Sequence, residues 1–329
     1  MAVAFVCPAC RGSVAREAEA YVCAACPRHY PIVLGIPDFR LTPDPWIAIE
    51  DDRAKGVALE ARTRGMAFKD TVEAYWAMTP TTSNERARRF TEHVLAGETR
   101  SREWLAALGL DMAGDGAPWI DLGCGTADLA AVIAPARPVI AIDIAFRWLV
   151  VAQCRLRERG IDNVTLACAD AAALPLPDRL AGRVVSMGLL EHVPDLTRVI
   201  GEAARSLDSR GQLHLRTTNR YSLLPEPHVN VWGVGFVPAR FADRYVTWRN
   251  GERYQHLHPT SAAPLRRAMR AAGLSEVSVG PAAALPSDAH RLGSGQALVA
   301  AYNSAGRLPA VRRAMAWVAP LLEAHGVKR

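Results

Sequence analysis

The residues with the clearest chemistry form a glycine-rich turn between an apolar run and an alanine-rich helix, WIDLGCGTADLA at 119–130. Turns of this kind hold a ligand at the start of a helix, and their glycine spacing separates one ligand class from another. The dinucleotide fingerprint G-x-G-x-x-G needs a glycine where this chain has Asp128, whose carboxylate would repel a diphosphate. A Walker-type phosphate loop is absent. S-adenosylmethionine carries a sulfonium and no phosphate, so DLGCGTA at 121–127 favours that cofactor.

Acidic residues lie in three consecutive predicted strands of this region. Asp121 belongs to the strand before the turn, Asp143 ends PVIAID, and Asp170 ends NVTLACAD. A carboxylate at the second position accepts hydrogen bonds from ribose hydroxyls in nicotinamide and S-adenosylmethionine sites alike, so Asp143 does not discriminate between them. Asp170 does, because a carboxylate there can accept from an adenine amino group. Each residue alone is also common at strand ends and helix caps, but the three together indicate a ligand site.

Four of the seven cysteines occur in two CxxC pairs near the start of the chain, at Cys7, Cys10, Cys23 and Cys26. Each pair presents two thiolates from one tight turn, and two such turns complete a closed tetrahedral site. The pattern predicts a zinc ribbon whose structural Zn²⁺ supplies folding energy to a segment too small to build a core. The other three cysteines are dispersed, and no secretory signal precedes them, which favours a reducing cytoplasmic compartment.

The elements that must position these residues alternate between strand and helix patterns. Near-continuous apolar runs separated by helix-like stretches predict a parallel sheet covered on both faces, and right-handed crossovers then give a doubly wound α/β fold. The seven predicted strands are APWIDLG, PVIAIDI, NVTLACAD, RVVSMGLL, GQLHLRT, SEVSVG and QALVAAY. The ligand of such a fold binds at the carboxyl ends of the strands.

The chain is expected to contain four parts. A zinc ribbon at 1–42 and a helical cap at 43–100 precede a core at 101–302. The core carries an insertion at about 217–260, which is long for a plain connection and suggests a substrate loop. Residues 303–329 read as an amphipathic C-terminal helix, which would dock on the core; a homodimer contact or a membrane-surface contact is left open.

DLGCGTADLA, AIDIA, CADAAALPLPD and MGLLEHVPD resemble class I S-adenosylmethionine-dependent methyltransferases of the small-molecule type, in the family's order and spacing across roughly 100–302. The resemblance implies a Rossmann-like methyltransferase fold with a mostly parallel seven-stranded sheet. Where the family usually has a third glycine, this chain has Ala127, which restricts φ. The implied cofactor contacts are Asp121, Gly123 and Gly125 to the methionine part, Asp143 to the ribose, Ile144, Asp170 and Ala171 to the adenine, and Leu189 and Glu191 in the methionine pocket.

The methyl acceptor is expected to be a small molecule. SMGLLEHVPD lacks the Asn/Asp-Pro-Pro-Tyr signature of enzymes that methylate planar amino groups, and it looks like the branch that includes quinone and natural-product O- and C-methyltransferases. O-methylation is favoured over C- or N-methylation of a quinone, natural-product or lipid-like acceptor. His192 is predicted as a base or substrate contact, although it could equally stabilise its turn. Tyr221 and His228, in the insertion, are predicted to face the substrate.

Two other functions remain open at this stage. The net charge of +6, carried by 36 arginines and 3 lysines, and the ribbon keep an rRNA or tRNA base methyltransferase as the alternative. The arginine clusters, however, fall in helix-like segments, where a solvated face is the ordinary interpretation. A non-enzymatic binding module is the third hypothesis. No apolar run approaches the ~18 residues of a transmembrane helix, so no transmembrane segment is expected.

Overall fold

The computed structural model describes residues 3–80, 82–110, 112, 116–288 and 295–329. Within it the chain divides into two compact units, Met1–Gly182 and Arg183–Arg329. Among the described residues, every helix is too short or too polar to cross a lipid bilayer.

The first unit begins with a small antiparallel sheet in the order β1-β2-β3-β4. Its strands are β1 (Val14–Arg16), β2 (Ala20–Cys23), β3 (His29–Val33) and β4 (Ile36–Pro37). Four aromatic rings with centroids 4.9–5.4 Å apart supply its apolar centre, those of Phe5, Tyr21, Tyr30 and Phe39. The sheet also packs on the rest of the unit, since Val6 N donates to Pro175 O at 3.0 Å. The predicted ribbon segment therefore has a β-fold of its own and is anchored on the core of its unit.

Four helices follow the small sheet, as the sequence predicted for this region. They are α1 (Ile49–Thr63), α2 (Phe68–Ala77), α3 (Asn84–Leu95) and α4 (Gly97–Leu108). The Ser83 hydroxyl caps α3 by accepting from Arg86 N, and Gly109 ends α4 in the left-handed conformation. The boundary predicted at residue 100 is wrong, because it falls inside α4.

The remainder of the first unit is a strand–helix alternation. It comprises β5 (Trp119–Leu122), α5 (Asp128–Ile133), β6 (Val139–Asp143), α6 (Phe146–Glu158) and β7 (Val164–Cys168). The three strands are parallel and in register, with Asp121 opposite Ala141 and Asp143 opposite Cys168. Most of their side chains are buried, including those of Ile120 and Ile140. Because parallel strands end at the same edge, this register brings the turns after β5, β6 and β7 together.

The second unit contains the remaining strands and helices. After β8 (Ala181–Met187), which begins at the boundary, come α7 (Leu196–Ser206), β9 (Leu207–Thr218), α8 (Ala239–Asn250), α9 (Ala262–Ala271), β10 (Leu274–Pro281), α10 (Gln296–Ala305), α11 (Pro309–Val318) and β11 (Leu321–Lys328). A separate apolar cluster around α8 consists of Val229, Val231, Val234, Ala242 and Val246. The insertion at 217–260 thus has its own core and a helix, which the sequence reading did not anticipate.

The seven-stranded sheet has the order β10-β11-β9-β8-β5-β6-β7 and is mostly parallel. The predicted doubly wound fold class is therefore confirmed. Two assignments within it are wrong: QALVAAY is part of helix α10, and the predicted C-terminal helix at 303–329 ends at Val318. Pro320 follows that helix end, and β11 then pairs antiparallel with both β9 and β10. Two neighbouring strands satisfy the backbone of β11 on both sides, which no local pattern could reveal.

Candidate active site

The glycine turn after β5 is built from residues with positive φ. Gly123, Gly125 and Ala127 have φ of 75°, 50° and 56°. The amides of Gly123 and Cys124 both donate to Ile142 O, at 2.8 and 3.0 Å, which fixes the turn against the end of β6. Ala127 holds the left-handed conformation at a cost of roughly 1–2 kcal/mol relative to a right-handed residue. The departure from glycine therefore leaves the turn in a glycine-like geometry.

Asp143 joins the turns after β5 and β6. One carboxylate oxygen accepts from Gly125 N and the other from Ala145 N, both at 2.8 Å. Burial raises the pKa of Asp143, and the two amide hydrogen bonds only partly oppose this effect. The carboxylate thus lies beside the glycine turn, where the sequence predicted a ribose contact.

Asp121 lies beneath the same turn. It is buried, and its Oδ2 accepts from Ala130 N in the first turn of α5 at 2.9 Å. Burial, followed by the charge of Asp128, raises the pKa of Asp121 well above its usual range. No arginine or lysine pairs with Asp121 within the described part of the chain. The turn is therefore surrounded by acidic groups that resist ionisation, and the contact of Asp121 with a methionine moiety stays a prediction.

Asp170 follows β7 and is held by two donors. Its Oδ1 accepts from Ala172 N at 2.8 Å, and its Oδ2 accepts from the Thr42 hydroxyl at 2.9 Å. Thr42 comes from the segment after the small sheet, which pairs with β7 because Phe39 N donates to Cys168 O at 2.7 Å. The sequence carries no local signal for Thr42, because its approach depends on that distant pairing. Ala171 is buried beside Asp170.

A buried ionic network fixes the segment after Asp143. The Arg40 guanidinium donates to Asp52 at 2.7 Å and to the backbone oxygen of Ile144 at 3.1 Å. Asp52 accepts from Phe146 N at 2.8 Å and pairs with Arg147 at 2.9 Å. The side chains of Arg40 and Asp52 are fully buried. The network therefore determines where the loop at the start of α6 lies.

The same network extends along the segment that follows the small sheet. Asp38 pairs with Arg40 at 2.6 Å and with Arg53 at 2.7 Å, and Asp44 pairs with Arg147 at 2.9 Å. The paired arginines lower the pKa of Asp38 even though burial opposes ionisation. Sequence reasoning missed this network, because Arg147 lies about 100 residues from Asp44 and Asp52 and the closer members follow no spacing rule.

The four cysteines converge as their spacing predicted. Sγ atoms of Cys7 and Cys26 lie 3.7 Å apart, those of Cys10 and Cys23 lie 3.5 Å apart, and all four fall within 4.8 Å of one another. Zinc–sulfur bonds of ~2.3 Å in a tetrahedron require sulfurs roughly 3.8 Å apart, so the donor set fits Zn²⁺. Burial opposes ionisation of the Cys7 thiol, but hydrogen bonds, chiefly from Tyr30, outweigh it and lower its pKa to about 6. Burial and the neighbouring Cys23 thiol instead raise the pKa of Cys26 to about 12, so the ease of ionisation differs among the four thiols.

In the second unit, Glu191, His192 and His228 form a cluster whose ligating atoms all lie within 4.8 Å of one another. Glu191 and His192 belong to a short 3₁₀ turn that follows Leu189 after β8. Thr217 and Thr218, at the end of β9, donate to the two oxygens of Glu191 at 2.7 and 3.0 Å. The structure therefore brings together two of the three predicted catalytic residues.

His228 is oriented by Glu226, a residue the sequence reading missed. The Nδ1 atom of His228 lies 2.6 Å from Glu226 Oε1, and Glu226 Oε2 accepts from the backbone amides of His228 and Val229. The signal was present as the spacing E-x-H, but only the turn geometry shows that the two side chains meet. The ring of Tyr221 lies 5.6 Å from that of Phe236, and its contact with a substrate stays a prediction.

The comparisons with known proteins concern the central part of the chain. Residues 120–215 match the family described as a methyltransferase domain. A demethylmenaquinone methyltransferase of Anoxybacillus flavithermus is 32% identical over 109 residues, which cover 32% of this chain and 46% of that protein. A probable S-adenosylmethionine-dependent methyltransferase of Mycobacterium tuberculosis is 38% identical over 109 residues, which cover 32% of this chain and 37% of that protein.

A longer match joins the chain to a 27-O-demethylrifamycin SV methyltransferase of Amycolatopsis mediterranei. It is 33% identical over 156 residues, which cover 46% of this chain and 52% of that protein. The chain thus spans about half, or less, of the length of these curated relatives.

Proposed function

We propose that this chain is a class I S-adenosylmethionine-dependent methyltransferase that transfers a methyl group from S-adenosylmethionine to a small-molecule acceptor, a proposal that its motifs and the methyltransferase-domain match at residues 120–215 support. Two relatives are named for a demethylmenaquinone and for a demethylated rifamycin, a quinone and a natural product. These names support the same acceptor class here, with O-methylation favoured over C- or N-methylation.

The observation that carries this proposal is the acidic surrounding of the glycine turn. Asp121, Asp128 and Asp143 all belong to elements that meet there, and the charge of Asp128 adds to burial in raising the pKa of Asp121. A diphosphate would add two negative charges to this environment, whereas a sulfonium would offset the charge already present. The turn therefore suits S-adenosylmethionine better than a dinucleotide.

The predicted cofactor contacts follow from the positions of the three loops. Each oxygen of Asp143 accepts one amide bond and keeps a second lone pair for a ribose hydroxyl. Asp170 keeps the same capacity for an adenine amino group, and Ile144 and Ala171 would frame the ring. In the proposal, Gly123, Gly125 and Leu189 lie along the methionine part.

The acceptor side is assigned to His192, His228 and Tyr221. With a proton on Nδ1 directed at Glu226, His228 is held in the tautomer whose Nε2 is basic. When bound, S-adenosylmethionine supplies an activated methyl group, so the protein mainly aligns the acceptor and excludes water. The acceptor hydroxyl would give its proton to His228 Nε2 as the new O–C bond forms, and the C–S bond breaks with S-adenosylhomocysteine as the leaving group.

A structural Zn²⁺ held by Cys7, Cys10, Cys23 and Cys26 is part of the proposal. The ion would fold the small sheet, and the segment after that sheet carries both Thr42 and Arg40 to the loops of the cofactor site. Cys23→Ser is expected to lower zinc content by about one equivalent per chain, as measured by elemental analysis. S-adenosylmethionine binding in that variant should persist, since no cysteine of the pairs is a cofactor contact.

The test is a labelling experiment. Purified protein is incubated with methyl-labelled S-adenosylmethionine and, in separate reactions, a metabolite extract or an RNA extract, and mass spectrometry identifies what gains label. Label in a small molecule is expected. Label in RNA that falls steeply with added salt would favour the RNA alternative. Failure of S-adenosylmethionine to bind in a calorimeter would overturn the function altogether and favour a binding module.

A cytoplasmic location and a homodimer remain predictions. Fractionation of the producing cells and light scattering of the purified protein measure them directly.

A further inference from the structure

We propose that Glu191, His192 and His228 bind a divalent metal ion, and that this ion contacts an oxygen of the methyl acceptor. The inference deepens the proposed function and rests on it for the role of the ion, but not for the binding. The ligand set is two imidazoles and one carboxylate, a combination that leaves coordination positions open for an exogenous ligand.

The distances suit a metal. Bonds of ~2.1 Å from imidazole nitrogen and carboxylate oxygen place ligand atoms up to about 4.2 Å apart. The ligating atoms of the three residues already lie within 4.8 Å of one another, and the rings of His192 and His228 are perpendicular with centroids 4.9 Å apart. Small side-chain rotations would therefore complete the site without movement of the backbone.

The side chains that hydrogen-bond to His228 and Glu191 are of the kind that orient the ligands in metal sites. A ligating histidine commonly donates its second ring N–H to a carboxylate, which fixes its tautomer and raises its basicity. His228 has this partner in Glu226, at 2.6 Å from Nδ1. Glu191 is oriented in the same way by Thr217 and Thr218, and each of its oxygens keeps a second lone pair.

The charge balance points to a cation. Glu191 and Glu226 are both buried, at 5% and 9% exposure. Within the described part of the chain, neither carboxylate pairs with an arginine or a lysine. Buried charges in proteins are paired or coordinate metals. The two carboxylates are thus held by hydroxyl, amide and imidazole groups and not by a guanidinium or an ammonium group, a setting that one bound divalent ion would stabilise.

A second observation is an orphaned hydroxyl nearby. The Oη atom of Tyr254 is buried, and among the described residues it has no hydrogen-bond partner. Burial raises the pKa of Tyr254, and the charges of Glu226 and Glu191 raise it further, so the phenol stays protonated as a donor. The Tyr254 hydroxyl could donate a hydrogen bond to an oxygen of the methyl acceptor. The same acceptor could bind the ion held by Glu191, His192 and His228.

The ion would act as a Lewis acid. An acceptor hydroxyl bound to a divalent ion loses its proton more easily, so the attacking oxygen is closer to an alkoxide when the C–S bond breaks. The released proton goes to solvent, and no oxidant or reductant is needed. This role differs from a metal-free site in which His228 Nε2 takes the proton itself.

Manganese binding tests the site directly. The purified, zinc-loaded protein is titrated with Mn²⁺ and free Mn²⁺ is followed by electron paramagnetic resonance. Mn²⁺ is chosen because thiolates select zinc over it, so the cysteine site does not compete. We expect one Mn²⁺ per chain in the unaltered protein, and a loss of this binding in both His228→Ala and Glu191→Gln. Glu226→Gln should weaken affinity by roughly 10–100-fold through the orientation of His228.

His258→Ala is the matched control. Its backbone amide donates to Glu191 O at 2.6 Å, but its exposed side chain is outside the cluster, so Mn²⁺ binding should be unchanged. Circular dichroism of each variant checks folding, and the partly exposed His228 keeps the test decisive if Glu191→Gln does not fold. Absence of Mn²⁺ binding, or binding that survives His228→Ala, would overturn the inference. S-adenosylmethionine binding is measured in the same samples, so its failure would be seen separately.

Discussion

Two kinds of buried carboxylate occur in this protein. Asp38 and Asp52 are fully buried and are paired with Arg40, Arg53 and Arg147 at 2.6–2.9 Å. Asp121 and Glu191 are also buried, but within the described part of the chain the donors to their carboxylates are one backbone amide in one case and two threonine hydroxyls in the other. The first kind has its charge compensated within the chain; the second does not.

The presence or absence of an arginine partner distinguishes carboxylates with a structural role from carboxylates that could bind a ligand. A compensated carboxylate needs no ligand, and its role is to hold the segments that its arginines join. An uncompensated one has a cost of burial that a bound cation can reduce, and this is the basis for the proposals of a sulfonium near Asp121 and of a metal ion at Glu191. Asp143 is intermediate, because two amides stabilise its charge without neutralising it.

The largest expected effect comes from breaking the compensated network. Asp52→Ala would leave Arg40 and Arg147 buried with part of their partners removed. The free energy of unfolding should fall by about 3–5 kcal/mol, as for other buried pairs that lose one member. Urea denaturation followed by circular dichroism measures it.

Glu60→Ala is the control, because it removes the half-buried partner of the exposed Arg64 in an (i, i+4) pair and should leave stability nearly unchanged. A loss for Asp52→Ala no larger than that of the control would show that the network is not structural.

The intermediate carboxylate should matter chiefly for the ligand. Asp143→Ala is expected to weaken S-adenosylmethionine binding by roughly 1.5–3 kcal/mol, the scale of lost charge-assisted hydrogen bonds. Calorimetry gives the affinity directly. Asp162→Ala, an exposed carboxylate after α6, serves as the control and should bind normally. Equal affinity in the two variants would contradict the ribose assignment.

The uncompensated carboxylate predicts opposite effects on stability and binding. Asp121→Asn keeps an oxygen that can accept from Ala130 N but removes the charge. The raised pKa shows that the folded chain disfavours the charged form, so the free energy of unfolding without ligand should be unchanged or higher. S-adenosylmethionine binding should weaken by about 1–2 kcal/mol through the lost attraction to the sulfonium. A large decrease in the free energy of unfolding of Asp121→Asn would show that Asp121 has a structural role like that of the compensated carboxylates.

The pH dependence of folding stability and of S-adenosylmethionine binding follows from the raised pKa of Asp121. The contribution of neutral Asp121 to folding is present below its ordinary pKa of 3.8 and is lost as pH rises through the raised folded value. A sulfonium favours the charged form, so S-adenosylmethionine should bind more tightly as pH rises through that range. S-adenosylhomocysteine, which lacks the charge, should respond less, and Asp121→Asn should reduce the difference between the two ligands.

The smallest effect is expected at Thr42. Thr42→Val removes one exposed hydroxyl donor to Asp170 and keeps the shape of the side chain. Its removal should change S-adenosylmethionine affinity by about 0.5–1 kcal/mol, and stability by less. Calorimetry of Thr42→Val and Asp143→Ala shows which of the two loops contributes more to the affinity for S-adenosylmethionine. An effect as large as that of Asp143→Ala would mean that the segment after the small sheet is itself part of the cofactor site.

The local patterns of the sequence determined the class of fold and predict the kind of ligand. The spacing of Gly123 and Gly125, the apolar runs that become β5–β9, and the paired CxxC motifs are all short-range signals. They work because backbone conformation, strand burial and tetrahedral thiolate geometry depend on residues close in the chain. The resemblance of these motifs to a known family also predicts which motif contacts which part of the cofactor.

Only the tertiary structure decided which distant residues meet. Residues 321–328 became a strand because β9 and β10 offered it two neighbours, although the sequence before them continues a helical pattern. Arg40 reached Asp52 and Arg147, and Glu226 reached His228, through turns and packing that leave no periodic trace. Side-chain pairs of this kind are selected by the three-dimensional path of the backbone, and that path is a property of the whole packed chain.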